Sequence, residues 1–190
     1  MADSGVTKKS LASALKDLTA GMPFAKISIG DICKQCDMSR KTFYYHFKDK
    51  EDLVNWIFDT EFIEPARHNT YESVWEAIEE LMRYFYQNRV FYKKILQQEG
   101  RNSFTFHFNE LIYAVFVDQL QTILKNPHAR DFQINFIADG MIGMLKRWLT
   151  SSECVPPDEF IGEIQSGAQI MAKYIFRTLS DGTPDEPITT

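Results

Sequence analysis

The stretch Ser28 to Lys50, SIGDICKQCDMSRKTFYYHFKDK, constrains this chain more than any other part of it. Ser28 can cap a helix whose apolar stripe is Ile29, Ile32, Cys33 and Cys36, spaced i, i+3, i+4 and i+7. Asp37 and Met38 then make a tight turn and Ser39 caps again. Arg40, Lys41, Thr42, Phe43, Tyr44, Tyr45 and His46 follow as a second helix, too short to be stable alone. A basic loop leads straight into a third helix at Lys50. Phe43 and Phe47, four apart, can pin the second helix to a core, leaving Arg40, Lys41, Thr42, Tyr44 and His46 pointing outward or sideways. A solvated helix seldom carries two adjacent tyrosines beside that much positive charge. Arginine offers a rigid fork for guanine edges or phosphates, and lysine, threonine, tyrosine and histidine can reach phosphate oxygens. The pattern reads as the recognition helix of a helix-turn-helix.

Charge distribution supports that reading although the net charge does not. The chain carries −5 overall, yet residues 1–50 hold 9 Lys and Arg against 5 Asp and Glu, a surplus of +4. The remaining residues hold 12 against 21, a deficit of −9. A small basic reading head on an acidic body fits this asymmetry. With 190 residues, 44% of them hydrophobic, the chain can build a substantial core. No run approaches the roughly 18 uncharged apolar residues of a membrane span, and no signal peptide is visible. A cytoplasmic protein is expected. The three cysteines suit a reducing compartment rather than a disulfide framework.

Periodicity predicts helices throughout. Leu11, Leu15 and Leu18 make a first helix from Lys8, which Gly21 and Pro23 end. Phe24 and Ile27 plug the gap to the helix-turn-helix. The helix from Lys50 is apolar on more than one side (Leu53, Val54, Trp56, Ile57, Phe58, Phe62), as a connector between head and body would be, and Pro65 is its expected end. Further helices are predicted over 71–87, 89–98, 104–124 and 132–149, with a stop at Asn126-Pro127. Pro156-Pro157-Asp158 opens a last helix to Leu179. No internal repeat and no strand are apparent. The expected class is therefore all-α. A helix-turn-helix head over 8–50 precedes a regulatory and dimerisation body over 51–179, and 180–190 form a disordered tail.

The residues Thr42-Phe43-Tyr44-Tyr45-His46-Phe47-Lys48-Asp49-Lys50, with Ile32 and Met38 upstream, resemble the T-[LF]-Y-x-[HY]-F-x-x-K signature of TetR family transcriptional regulators. The resemblance implies a DNA-facing set of Ser28, Ser39, Arg40, Lys41, Thr42, Tyr44, Tyr45, His46 and Lys50. In it Arg40, Lys41 and Tyr44 match base-facing positions, and Thr42, Tyr45, His46 and Lys50 match positions that hold the DNA backbone. Gly30 departs from the pattern, since many relatives carry a longer side chain there that also touches DNA. A second stretch, FIADGMIGMLKRWL, resembles the G-x-x-G-x-[LI]-x-x-W-[LI] pattern of the DhaS-type subgroup, the regulators of dihydroxyacetone kinase operons. The family implies a homodimer on double-stranded DNA with a palindromic operator, and a small-molecule or protein effector acting on the body.

Other features have plainer explanations beside functional ones. Cys33-Lys34-Gln35-Cys36 is formally C-x-x-C, but it lies on an apolar stripe with no second ligand pair, so core packing is expected. Glu64 and His68 are four apart with Pro65 between them, and His107 and His128 have no ligand partner in sequence; neither metal nor cofactor is expected. The rings from Tyr84 to Phe116 are core in the main, yet their density admits a cavity for an apolar ligand. Phe85, Tyr86, Phe91, Phe104, Phe108, Tyr113 and Phe116 are the candidates. Gly140, Met141, Met144, Trp148, Met171 and Tyr174 offer more apolar surface than one helical hairpin buries, which points to a two-fold, four-helix interface. No nucleophile elbow, P-loop or dinucleotide fingerprint suggests an enzyme. The rival to a DNA-binding regulator is a protein of the same fold acting mainly through a protein partner.

Overall fold

A computed structural model describes residues 4–98, 100, 103–120 and 126–181. These residues form helices and connecting turns, with no strand among them. Helix α1 spans Ser4–Gly21, four residues longer at its start than its periodicity from Lys8 implies, and buries Leu11 and Leu15 completely. A 3-10 turn at Phe24–Lys26 drops Phe24 and Ile27 into the core. Helix α2 covers Ile29–Gln35 and is closed at its start by a full capping box: the Ser28 hydroxyl accepts from the Asp31 amide, and the Asp31 carboxylate accepts from the Ser28 amide. Asp37, at φ 52°, ends it in the left-handed conformation. That turn lets the Met38 and Asp37 amides reach back to the Cys33 and Lys34 carbonyls. Helix α3 then spans Arg40–His46 and α4 spans Lys50–Phe58, capped by Ser39 and Asp49.

Pro65 lies one residue short of the end of the helix that starts at Lys50. The helix passes through a π segment, Asp59–Ile63, where the Glu64 amide donates to the Asp59 carbonyl, and continues as α5, Glu64–Ala66. Proline has no N–H for the carbonyl four residues back, and its ring crowds that carbonyl; the extra residue of the wider turn lies just ahead of it. His68 Nδ1 then lies 2.8 Å from the Glu64 carbonyl, so the Glu64–His68 pair closes a helix end rather than a metal site.

The body follows as α6 (Val74–Gln87), α7 (Arg89–Ile95), α8 (Phe104–Leu120), α9 (Pro127–Thr150) and α10 (Pro157–Asp181). Asn126-Pro127, read from sequence as a stop for the preceding helix, also opens the next one, five residues ahead of its expected start at Phe132. The Asn126 side chain accepts from the His128 amide, and Pro127 occupies the first turn, where its missing N–H costs nothing. Helix α10 enters the expected tail as far as Asp181, and the remainder of that tail lies outside the described residues. Helices α8 and α9 pack together, as do α6 with α10 and α1 with α7.

Aromatic rings fill the junction of connector and body. Phe58, fully buried, lies with its centroid 5.2 to 6.3 Å from those of Phe62, Tyr84, Phe85, Tyr92, Phe104 and Phe108. Two hydroxyls end up inside this cluster and must be satisfied there. The Tyr84 and Tyr92 oxygens are 2.7 Å apart, and Tyr84 donates to Glu61 at 3.1 Å. Burial pushes both phenols above their ordinary value of 10.0. An acid whose folded-state value is raised favours the fold fully below its unfolded value and progressively less above it. Stability is therefore expected to hold up to about pH 10 and then fall as pH rises further. Absorbance at 295 nm should show two tyrosines ionising only with unfolding, and their free titration near pH 10 would contradict this.

Candidate DNA interface and the body sites

Helix α3 is seven residues long and stands out from its neighbours on two rings. Phe43 is 0% and Phe47 3% exposed, whereas Tyr44 is 58% and Tyr45 83% exposed. An amphipathic period places these neighbours on opposite sides of one short cylinder. Arg40 and Lys41 are exposed with them, as are the caps Ser28 and Ser39, while Thr42 and His46 are half-buried. The Ser39 and Thr42 hydroxyls lie 2.9 Å apart, and Tyr45 meets His46 edge-on at 4.9 Å. Hydrogen bonds from the Ser28 side chain and backbone hold the Asp31 carboxyl below its ordinary value, and the charges of Lys34 and Arg40 add to the effect. The surface thus gathers cations and hydroxyls on a rigid, capped frame.

Lys50 departs from its expected place. Its ammonium donates to the Phe24 carbonyl at 2.8 Å and the Ile27 carbonyl at 2.9 Å, and lies 4.4 Å from the centre of the Phe24 ring. Those carbonyls belong to the turn before α2 and have spare lone pairs, so a half-buried cation ties the helix-turn-helix to α4 from within. Lys50→Met, which keeps the stem, is expected to cost about 2 kcal/mol through the lost charged hydrogen bonds. The slope of log affinity against log salt should change by much less than the unit expected for one phosphate contact. An unchanged melting temperature with a slope reduced by about one would reverse the assignment.

Both cysteines of the C-x-x-C are free thiols packed inward. The Cys33 thiol points to the Ser39 carbonyl and that of Cys36 to the Ile32 carbonyl, and burial raises both above their ordinary value. Among the described residues no cluster of His, Cys, Asp or Glu could hold a metal ion. No described helix is long and apolar enough to cross a membrane.

The candidate ligand residues are dispersed by the fold. Phe85, Phe91, Phe104 and Phe108 are buried, and Phe85, Phe104 and Phe108 pack ring on ring within the Phe58 cluster. Tyr86 is at the surface, Tyr113 donates to Asp131 at 2.7 Å, and the Phe116 side chain lies outside the described ones. A cleft of about 280 Å³ opens instead between the start of α4 and the start of α8, lined by Lys48, Asp49, Asp52, Asn55, Ser103, Phe106, His107 and Glu110. None of the seven candidates lines it.

The candidate interface residues also divide. Trp148 is 5% exposed and already spent inside the protomer: it stacks at 4.3 Å on Phe160 and at 5.9 Å on Tyr86, and its indole donates to the Val155 carbonyl. Met141 and Met144 are half-buried, whereas Gly140, Met171 and Tyr174 are exposed. Phe132 and Phe136, each 67% exposed, and Ile170, 54% exposed, are further apolar side chains exposed on α9 and α10. The sequence signal for the two phenylalanines was their i, i+4 spacing ahead of Gly140.

Two tethers join the head to the rest of the chain, and a third joins the connector to α8. The Lys94 ammonium on α7 donates to the Thr19, Ala20 and Met22 carbonyls at the end of α1. Lys16 pairs with Glu61, which also accepts from Tyr84, and His107 Nε2 lies 2.8 Å from Asp59. The last two tethers end on the π segment.

Known proteins share this layout. Residues 13–57 match the family of bacterial regulatory proteins, tetR family, and residues 72–169 match a transcriptional regulator C-terminal region of TetR proteins. The HTH-type dhaKLM operon transcriptional activator DhaS of Lactococcus lactis is 31% identical over 140 residues, covering 72% of this chain and 74% of that relative. A solved structure of a dihydroxyacetone kinase operon activator DhaS superposes with a TM-score of 0.57 at 24% identity, covering 87% of this chain and 97% of its own. A TetR transcriptional regulator from Streptococcus agalactiae 2603V reaches a TM-score of 0.64 at 20% identity, over 84% of this chain and 92% of its own. Two solved structures thus share the fold, the head and body each match a TetR description in their own right, and a relative similar in sequence covers 72% of the chain. The chain is a member of the TetR family of bacterial transcriptional regulators.

Proposed function

We propose that the protein binds a palindromic operator as a homodimer, with one α3 from each protomer in successive major grooves about 34 to 36 Å apart. The observation that carries this is the split of α3 into a buried phenylalanine side and an exposed face of Arg40, Lys41, Tyr44 and Tyr45. Arg40, Lys41 and Tyr44 read base edges, and Ser28, Ser39, Thr42, Tyr45 and His46 hold phosphates. Lys50 braces the frame. Residues 8–50 act as the DNA-binding unit and 51–179 as the regulatory and dimerisation unit. The second copy covers Phe132, Phe136 and Gly140 on α9 and Ile170, Met171 and Tyr174 on α10, whose exposed apolar groups water disfavours.

An effector on the body sets the spacing of the two heads through the tethers on the π segment and on α1, and a coupling of about 1 to 3 kcal/mol suffices. The close packing of Phe85, Phe104 and Phe108 favours an effector, small molecule or protein, that binds at the body's surface rather than among those rings. The DhaS relative is named as an operon activator, and a comparable role in transcription is the reading for this chain.

Selection of bound duplexes from a random pool tests the proposal. Arg40→Ala is expected to cost about 1 to 3 kcal/mol on the selected operator and much less on scrambled duplex. Equal losses on both would refute a base-reading role.

A further inference from the structure

We propose that Gly30 is a positioning residue for Arg40, and that the missing side chain at position 30 sets which base edge the arginine reads. The inference rests on the reading that α3 faces DNA. A Cβ built on Gly30 would stand 2.6 Å from Arg40 Nη2 and 3.4 Å from both Cζ and Nε. The guanidinium therefore lies across the first turn of α2, against the bare backbone of Gly30. It does not extend freely from the start of α3.

Nothing else at position 30 calls for glycine. The residue is helical with no positive φ, and alanine is the better helix former there. Arg40 is exposed, so no core packing confines its guanidinium. What lies beneath it is a floor without a side chain. The capping box at Ser28 and Asp31 fixes the floor, and Ser39 fixes the stem.

A methyl group at position 30 would displace the guanidinium. Its far end is the mobile part of the contact, so the side chain moves and the two helices do not. A bidentate grip on a guanine edge needs both N–H donors in register, and a shift of an ångström or more breaks it. Position 30 thus acts on recognition through Arg40, without touching a base itself.

The test uses the full chain as wild type, Gly30→Ala, Arg40→Ala and the double variant, each selecting from one random duplex pool. Gly30→Ala should lose about tenfold in preference at the same base pair that Arg40→Ala relaxes, leave other positions unchanged, and melt no lower than wild type. The double variant should be no worse at that base pair than Arg40→Ala alone. In the free protein, the Arg40 side-chain Nε–H resonance should shift on Gly30→Ala. A wild-type operator that Gly30→Ala reads with undiminished preference overturns the role of Gly30 alone, as does a loss scattered over unrelated positions. Failure of the wild type to enrich any duplex sinks the DNA-binding reading, and this inference falls with it.

Discussion

Phe58→Ala is expected to destabilise the protein by about 3 to 5 kcal/mol, the range for emptying a buried phenylalanine site. That is a large share of the roughly 5 to 15 kcal/mol a folded protein commands. Three observations place it at the upper end. The residue is 0% exposed, it touches six other rings, and those rings come from four separate elements, α4's π extension, α6, α7 and α8. No single neighbour can collapse into the space, because each is held by the others: Phe85 meets Tyr92 edge-on at 4.8 Å and Phe104 stacks on Phe108 at 5.8 Å. Phe58→Leu should cost only about 1.5 kcal/mol or less if volume is what matters. At roughly 2 to 4 °C per kcal/mol for a chain of this size, the alanine variant should melt some 6 to 20 °C lower. Urea unfolding of both variants checks the ratio, and a loss below about 1 kcal/mol for alanine would mean that the cavity closes.

The same cluster explains what could and could not be read in the chain. Helix existence, the cap at Ser28, the cap at Ser39 and the burial of Phe43 and Phe47 were legible, because each depends on a period or a neighbour within a few residues. The π segment was not, since proline alone signals a stop and only the fold shows a wider turn ahead of it. Asn126-Pro127 was ambiguous for a related reason: the pair marks a boundary in either direction, and whether a helix ends or begins there depends on what packs beyond it. Lys50 reads from sequence as one more cation beside DNA, and only the approach of the Phe24 and Ile27 carbonyls, more than twenty positions earlier, turns its ammonium inward. Trp148 likewise reads from sequence as interface, and only its stacking on Phe160 and Tyr86 shows it packed within the protomer. Composition counts rings; it does not say whether they enclose a space or fill it.

The tethers of head, connector and body follow from this division. Lys94 caps the end of α1 from a distance of more than seventy residues, and the π segment offers Asp59 and Glu61 to His107, Lys16 and Tyr84. A helix with a wider turn has locally looser hydrogen bonding than one with a regular ladder. Under the proposed effector control, tethers on that turn pass a movement of α8 or α6 on to α4.

Phe43→Ala is the second change expected to cost about 3 to 5 kcal/mol, and it separates the anchor of α3 from its reading face. The helix has seven residues, too few to persist without tertiary support, and Phe43 supplies much of that support at 0% exposure. Every side chain proposed to touch DNA is still present in the variant. If α3 unravels locally, affinity for the selected operator should fall about tenfold for each 1.4 kcal/mol needed to re-form it, while saturating operator should recover part of the lost melting temperature. Tyr45→Ala provides the opposite dissociation. Its ring is 83% exposed, so stability should stay within about 0.5 kcal/mol of wild type while operator affinity drops. Should Tyr45→Ala bind as tightly as wild type and Phe43→Ala lose only stability, the exposed face of α3 would not be the surface that meets DNA.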